Sequence, residues 1–467
     1  MQAVRLALPT LLLAYFLIEA RKSRIFLLGI PFLMYMKHSV FFDLMRPFWM
    51  PGRFGSSFHL IFWLAIVWVI CTDLLLPTSV TGRRRVRLFG PRLLVPEEAI
   101  LLLVAAAVVI NVCLSTLRFG DFASTVNSAS GFVYMLLGYL MVRGILGQAS
   151  LQDTRRFITA LVVVNTLAAG LFILHQGLHL PIYRATEYQV TLFQGELITR
   201  SFYFMPQLLV LAVAFFVAKR TWDARTLVIA GITLAAIVIS YTRSLILVAL
   251  LEIALAMAVR LLKGGQLSML MHRALAVVFT VACVGALVLA FLPTQSEFLL
   301  TRFRATPSVS NLPSDRNLQN RENKLRRTYN HAVRVNPVLG GGFASSGDDP
   351  FQAQVDMMTS DIAWVPLLYR LGLLGVGLIG TLFFVSAGRS LRWALSVDPQ
   401  VEFFGLLWLC CLSALFLWSF SSETFMSPGR YALNLWFFAF IAGQSAVERS
   451  RVAESAVEQR PRVVLSS

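Results

Sequence analysis

The polar chemistry of this chain is concentrated in one run of cations that ends on a carboxylate. Between residues 293 and 361, Arg321, Lys324, Arg326, Arg327 and Arg334 follow one another at short spacing, and the stretch closes on Asp361. Arginine donates paired hydrogen bonds from a planar fork and keeps its charge, which suits it to phosphate oxygens. Asp361 stands at the mouth of an apolar run, where partial burial raises a carboxylate toward neutrality and equips it to draw a proton from a hydroxyl. Capping the helix that follows is the competing role for an aspartate there. Glu196, Asp356 and His331 are the reserve bases. Two more arginines precede apolar runs, Arg200 before 202–218 and Arg243 before 244–262. Arg243 either faces a substrate or snorkels to an interface.

What must position these groups is set by composition. Of 467 residues 57% are hydrophobic and only 14% charged, with a mean hydropathy of +0.70. A soluble domain carries about 25% charged residues. Apolar runs at 58–76, 98–116, 129–147, 157–180, 202–218, 226–241, 244–262, 274–292, 362–387, 403–420 and 431–446 approach or exceed the length of a membrane span, with weaker runs at 4–19 and 25–40. A hydrocarbon core needs roughly 20 helical residues, so about 12 or 13 transmembrane helices are expected. The runs are continuous rather than alternating, which predicts an all-α polytopic protein and not a barrel. Its parts are N-terminal spans over 1–292 with a small outer loop at 181–201, the large loop 293–361, C-terminal spans over 362–446 and a tail at 447–467.

Orientation follows from the basic residues. Arg21, Lys22 and Arg24, the Arg83–Arg92 group, Arg155 with Arg156, Lys219 with Arg220 and Arg225, Lys263 with Arg273, and Arg389 with Arg392 mark every second loop. Lys and Arg in short loops stay cytoplasmic. That leaves 181–201, 241–243, 293–361 and 421–430 outside and the tail inside. The net charge of +17 is then mainly a topology signal that meets anionic membrane lipids, and nucleic acid is not an expected partner. Arg21, Lys22 and Arg24 follow the first apolar stretch without a small-residue cleavage site, so that stretch reads as a retained anchor.

Within the large loop, 293–319 is rich in Pro, Ser and Asn and predicts irregular chain. Residues 320–335 predict an amphipathic helix with Leu325, Tyr329, Ala332 and Val333 on one face and Arg321, Lys324, Arg327 and Arg334 around the rest. Asn336 and Pro337 should stop it, and Gly340, Gly341 and Gly342 should make a tight turn. Such a helix could serve as a lid over an anionic, lipid-attached substrate or simply anchor the loop at the interface. Other signals carry less. Gly375, Gly377 and Gly380 spell GxGxxG inside an apolar run, where helix packing is expected rather than a dinucleotide site. His175 and His179 lie four apart without a third ligand, no metal site is expected, and the five cysteines all fall in apolar runs. No ionisable residue stands out in mid-span.

The run from Arg321 to Phe343, with its NPVLGGGF ending, resembles the arginine, aromatic-helix and NP-x-x-G-x-G-F signature in the large periplasmic loop of the O-antigen polymerase and O-antigen ligase superfamily. RSFYFMPQ at 200–207, YTRS at 241–244 and DIAWVPLLYRLGLLG at 361–375 are similar to three further family segments in the same order. The resemblance covers roughly residues 150–450. It implies a helical membrane fold of the GT-C type in a bacterial inner membrane, and transfer of a glycan from an undecaprenyl pyrophosphate carrier to a sugar acceptor, without cofactor or nucleotide sugar. It places Arg200 and an arginine near Arg321 on the carrier pyrophosphate, and a chain-length regulator is the expected protein partner of a polymerase. Many ligases carry a histidine where this chain has Asp361, which separates it from them. A ligase acting on a lipid or protein acceptor is the alternative within the family, and a flippase for lipid-linked oligosaccharides is the alternative outside it.

Overall fold

The structure is a computed structural model. It describes residues 2–29, 49–52, 55–59, 95–146, 149–177, 188–193, 196–201, 206–240, 242–264, 297, 301, 316–343, 363–420, 438, 440, 441 and 444. Its helices are α1 Gln2–Ala20, α2 Pro96–Phe119, α3 Phe122–Leu146, α4 Leu151–Gly177, α5 Pro206–Ala218, α6 Ala224–Ile239, α7 Arg243–Leu262, α8 Arg316–Val335, α9 Trp364–Ala394 and α10 Pro399–Trp418. Five of them, α2, α4, α7, α9 and α10, are long and apolar enough to cross a membrane. The expected span 274–292, most of 25–40, 58–76 and 431–446, the loop segments 302–315 and 344–362, and the tail lie outside the described residues.

Local chemistry explains where helices begin. Glu98 accepts a hydrogen bond from the Val95 N–H at 3.2 Å at the start of α2, where Pro96 tolerates having no donor. Ser150 and Asp153 cap one another's backbone at α4. Asp223 accepts from the Thr226 N–H at 3.0 Å at α6, and its hydrogen bonds to Thr226 hold its carboxyl below the usual range. Asp398 accepts from the Gln400 N–H at 2.8 Å at α10.

The centre of the bundle is α10, which packs against α5, α7 and α9. Leu406, Leu407, Cys410, Cys411, Leu412 and Leu415 on it are fully buried, as an all-round apolar helix requires. By contrast α2 leaves Leu102, Leu103, Val109 and Leu117 exposed, a row suited to lipid. The closest approach is at Gly405, where an added Cβ would lie 2.1 Å from the Ala394 backbone nitrogen. Gly377 and Gly380 meet nothing within 4 Å among the described residues.

Two short hairpins accompany the helices and correct an expectation of helix alone. One pairs β1 Trp49–Gly52 with β2 Gly55–His59. The other pairs β3 Tyr188–Phe193 with β4 Glu196–Ser201 across residues 194 and 195, a Gln-Gly pair of the kind that closes a two-residue turn.

Basic residues from separate loops converge on one end of the bundle. Arg220 and Lys263 both donate to Glu402, the latter at 2.5 Å. Arg389 near the C-terminal end of α9 forks onto Glu97 at the start of α2, with Nε to Oε1 at 2.7 Å and Nη2 to Oε2 at 2.9 Å. The opposite ends of α7 and α9 therefore share the other side with α8. Glu97 is fully buried, so its loss should matter. Removing one partner of a buried pair leaves the other charge uncompensated at a cost of about 3–5 kcal/mol. Glu97→Gln is expected to lower the unfolding midpoint in detergent markedly, whereas Glu97→Met with Arg389→Met should stay near the parent. An unchanged midpoint for Glu97→Gln would show that this pair does not hold α2 to α9.

Candidate functional site

The candidate site is a joint between the end of α8 and a break in α9. Helix α8 ends at Val335, where Pro337 cannot continue the ladder. The Asn336 side chain then accepts from the Val338 and Leu339 N–H groups, both at 3.0 Å, and the Gly340 N–H donates to the Asn336 carbonyl at 2.7 Å. This is the stop and turn expected from sequence.

The turn is then fastened into α9. At Gly372 the backbone leaves the helix, with φ 61° and ψ −160°, a region open essentially to glycine. In an unbroken helix the Leu373 and Leu374 N–H groups would bond four residues back. Here they donate to Pro337 and Val338 carbonyls, both at 3.1 Å, while the freed Tyr369 carbonyl accepts from the Gly341 N–H at 2.6 Å. Two N–H groups and one carbonyl released by the break thus find partners in the turn. This satisfies the condition for non-helical chain at membrane depth. Contact is so close that a Cβ on Gly340 would lie 2.5 Å from the Tyr369 carbonyl oxygen, and one on Gly372 would lie 2.3 Å from that of Val338.

Beyond the glycines, the turn reaches two more helices. The Phe343 N–H donates to Ser115 Oγ of α2 at 2.8 Å, and its fully buried ring meets Phe132 of α3 edge-on at 5.6 Å. The segment 336–343 thus ties α8, α9, α2 and α3 together, about one helical turn from the C-terminal end of α2.

This joint decides which face of α8 lies underneath. Thr328 is fully buried, and the His331 ring stacks on Tyr369 with centroids 5.8 Å apart. Leu325 and Tyr329, of the expected apolar face, are 40% and 45% exposed. The face toward α9 is therefore the one through Thr328 and His331, because the docked turn fixes the rotation of the helix. Ala332 and Val333 have no described side chains. Arg326, Arg327 and Arg334 are exposed, and Arg321 and Lys324 stand on the same helix with side chains outside the description.

The other expected site residues stand on separate elements. Arg200 lies on β4, opposite Gln189, and β4 touches α4. By the two-residue period of a strand, positions 196 and 200 fall on the same side of the ribbon. Arg243 is half-buried at the first position of α7, after the N-cap Thr242. Asp361 and Asp356 lie outside the described residues. The N-cap of α9 is Ala363, which makes no side-chain cap bond, and its N–H donates to the Ser419 carbonyl at 2.9 Å. Trp364 Nε1 donates to Ser419 Oγ at 2.7 Å, so the start of α9 is pinned to the end of α10.

Two ionisable residues escaped the sequence reading. Arg370, half-buried, stands two residues before the break in α9. Glu252 lies at the middle of α7, fully buried, and neither carboxyl oxygen has a hydrogen-bond partner among the described residues. A lone acid or arginine inside an apolar run was the available signal. Glu252 corrects the expectation that mid-span is free of ionisable groups. No protein-family model matches this chain, and no curated protein matches it, so the site is read from its own residues.

Proposed function

We propose that the protein is a glycan polymerase that transfers a glycan from an undecaprenyl pyrophosphate carrier to a sugar hydroxyl at the periplasmic face of a bacterial inner membrane. The observation that supports this reading is the joint: it fixes a cation-rich helix over the broken end of a membrane helix, beside the half-buried Arg370. In this reading the acceptor hydroxyl attacks the anomeric carbon, the bond to the carrier oxygen breaks, and configuration inverts. The carrier diphosphate leaves with the electron pair of that bond, and Arg200, Arg243 and Arg321 stabilise its charge. Lys324, Arg326, Arg327 and Arg334 attract the anionic donor to the outer face. Asp361 takes the acceptor proton.

A specific observation favours a second reading. A buried mid-span carboxyl such as Glu252 is what a transporter for lipid-linked oligosaccharide would carry. One assay separates the two: transfer from purified lipid-linked donor in nanodiscs, with chelator present. For a polymerase, Asp361→Asn should lose activity at unchanged expression and thermal stability, and Glu252→Gln should keep it. If Asp361 only caps, asparagine should be neutral while alanine costs roughly 1 kcal/mol of stability. Product from Asp361→Asn at the parent rate would move the base to Glu196, Asp356 or His331. Absence of product from the parent protein, with Glu252-dependent movement of donor across a bilayer, would replace polymerase by transporter.

A further inference from the structure

At the basic end of the bundle a half-open cleft of about 880 Å³ runs between α1, α4 and the start of α10. This volume lies within the range of small-molecule sites, about 300–1,000 Å³. Its two ends differ in chemistry. Arg155 and Arg156 stand at its mouth, both exposed, and Arg155 lies over the Phe403 ring at 4.9 Å from the centroid. Further along α4 the lining turns apolar, with Val163, itself 43% exposed, and Leu12 of α1. Arg155 and Val163 are eight residues apart on one helix, so about 12 Å separates the charged end from the apolar end. The carboxylate in the wall, Glu19, is already engaged by Lys22 at 2.7 Å, which leaves the mouth positive.

We propose that this cleft is a binding site for one anionic phospholipid, with its phosphate on Arg155 and Arg156 and an acyl chain along Leu12 and Val163. The charge order decides the occupant. A cation pair at the membrane surface followed inward by an apolar wall matches a headgroup phosphate followed by a chain, and basic pockets between transmembrane helices on this side select anionic headgroups. A soluble phosphate compound would leave the apolar end unfilled, and a zwitterionic lipid would bring its own cation to the arginines. The site lies at the opposite end of the bundle from the joint, so it is independent of the polymerase reading.

The test counts lipid on the purified full-length protein by native mass spectrometry, and needs no transfer activity. Phosphatidylglycerol should bind saturably as one equivalent, phosphatidylcholine at least about tenfold more weakly, and glycerol 3-phosphate should not displace it. Arg155→Gln with Arg156→Gln should weaken phosphatidylglycerol about 30-fold, from about fivefold for each arginine near a surface. Val163→Trp should weaken both lipids by filling the apolar end. Equal binding of the two lipids to the parent protein would overturn the proposal without any variant. So would full binding to the double glutamine variant, displacement by glycerol 3-phosphate, or preference for a polyprenyl diphosphate.

Discussion

Gly372→Ala should release the 336–343 turn from α9 and, in the polymerase reading, remove transfer with it. Two costs act at that position. The backbone adopts φ 61° and ψ −160°, which costs a side-chain-bearing residue about 1–3 kcal/mol. The new Cβ would also lie 2.3 Å from the Val338 carbonyl oxygen and 2.5 Å from the Gly340 nitrogen, and backbone displaced by overpacking adds about 1–3 kcal/mol. Neither neighbour is a flexible side chain, so the turn itself must move. Once it moves, the Leu373 and Leu374 N–H groups and the Tyr369 carbonyl lose their partners together. The expected result is a lowered unfolding midpoint and faster tryptic cleavage at the exposed Arg326 and Arg327. Gly377→Ala on the same helix is the control: none of the described residues stands within 4 Å of it and its φ is ordinary, so it should be neutral or gain up to about 1 kcal/mol. Equal midpoints and equal cleavage for the two variants would mean that the break does not depend on Gly372.

The joint was partly legible in advance. Asn-Pro and the glycine run announced a helix stop and a turn, because Pro and Gly act through local backbone geometry that needs no tertiary context. The partner of that turn was not legible, since nothing local says that Gly340 will meet Gly372. Which face of α8 turns toward α9 was not legible for the same reason. Leu325 and Tyr329 make the stronger apolar stripe, yet docking through backbone hydrogen bonds puts Thr328 and His331 underneath. The β3–β4 hairpin was legible: β-branched and aromatic residues flank Gln194 and Gly195, a pattern of short strands that long apolar runs do not reveal. Window averaging likewise hid Glu252 and Arg370. Single charges barely lower the hydropathy of a span, though each is costly there. The tight packing at Gly405 was beyond sequence altogether, because it depends on the Ala394 backbone of the neighbouring helix.

Arg200→Ala and Arg321→Ala are each expected to abolish polymer formation while leaving the protein inserted and abundant. They stand on different elements, β4 and α8, so a shared loss cannot come from one distorted element. In the polymerase reading both contact the carrier diphosphate, whose charge grows as the glycosidic bond breaks. A charge-assisted bond to phosphate contributes about 1.5–3 kcal/mol, and a donor aimed at developing charge in a dry site is worth about 100- to 1,000-fold in rate. Lysine should rescue poorly at either position, because it keeps the charge and loses the paired geometry. Arg326→Ala supplies the contrast. It removes an exposed cation from the same helix, and should slow donor capture only at low donor concentration and low salt, as a steering charge does. Initial rates against donor concentration in nanodiscs decide the matter: a lost maximal rate for Arg200 and Arg321, and a raised half-saturation alone for Arg326. Wild-type polymer in both alanine variants would remove the diphosphate clamp from the mechanism. Equal defects in all three would reduce α8 to a charged surface with no residue specifically engaged.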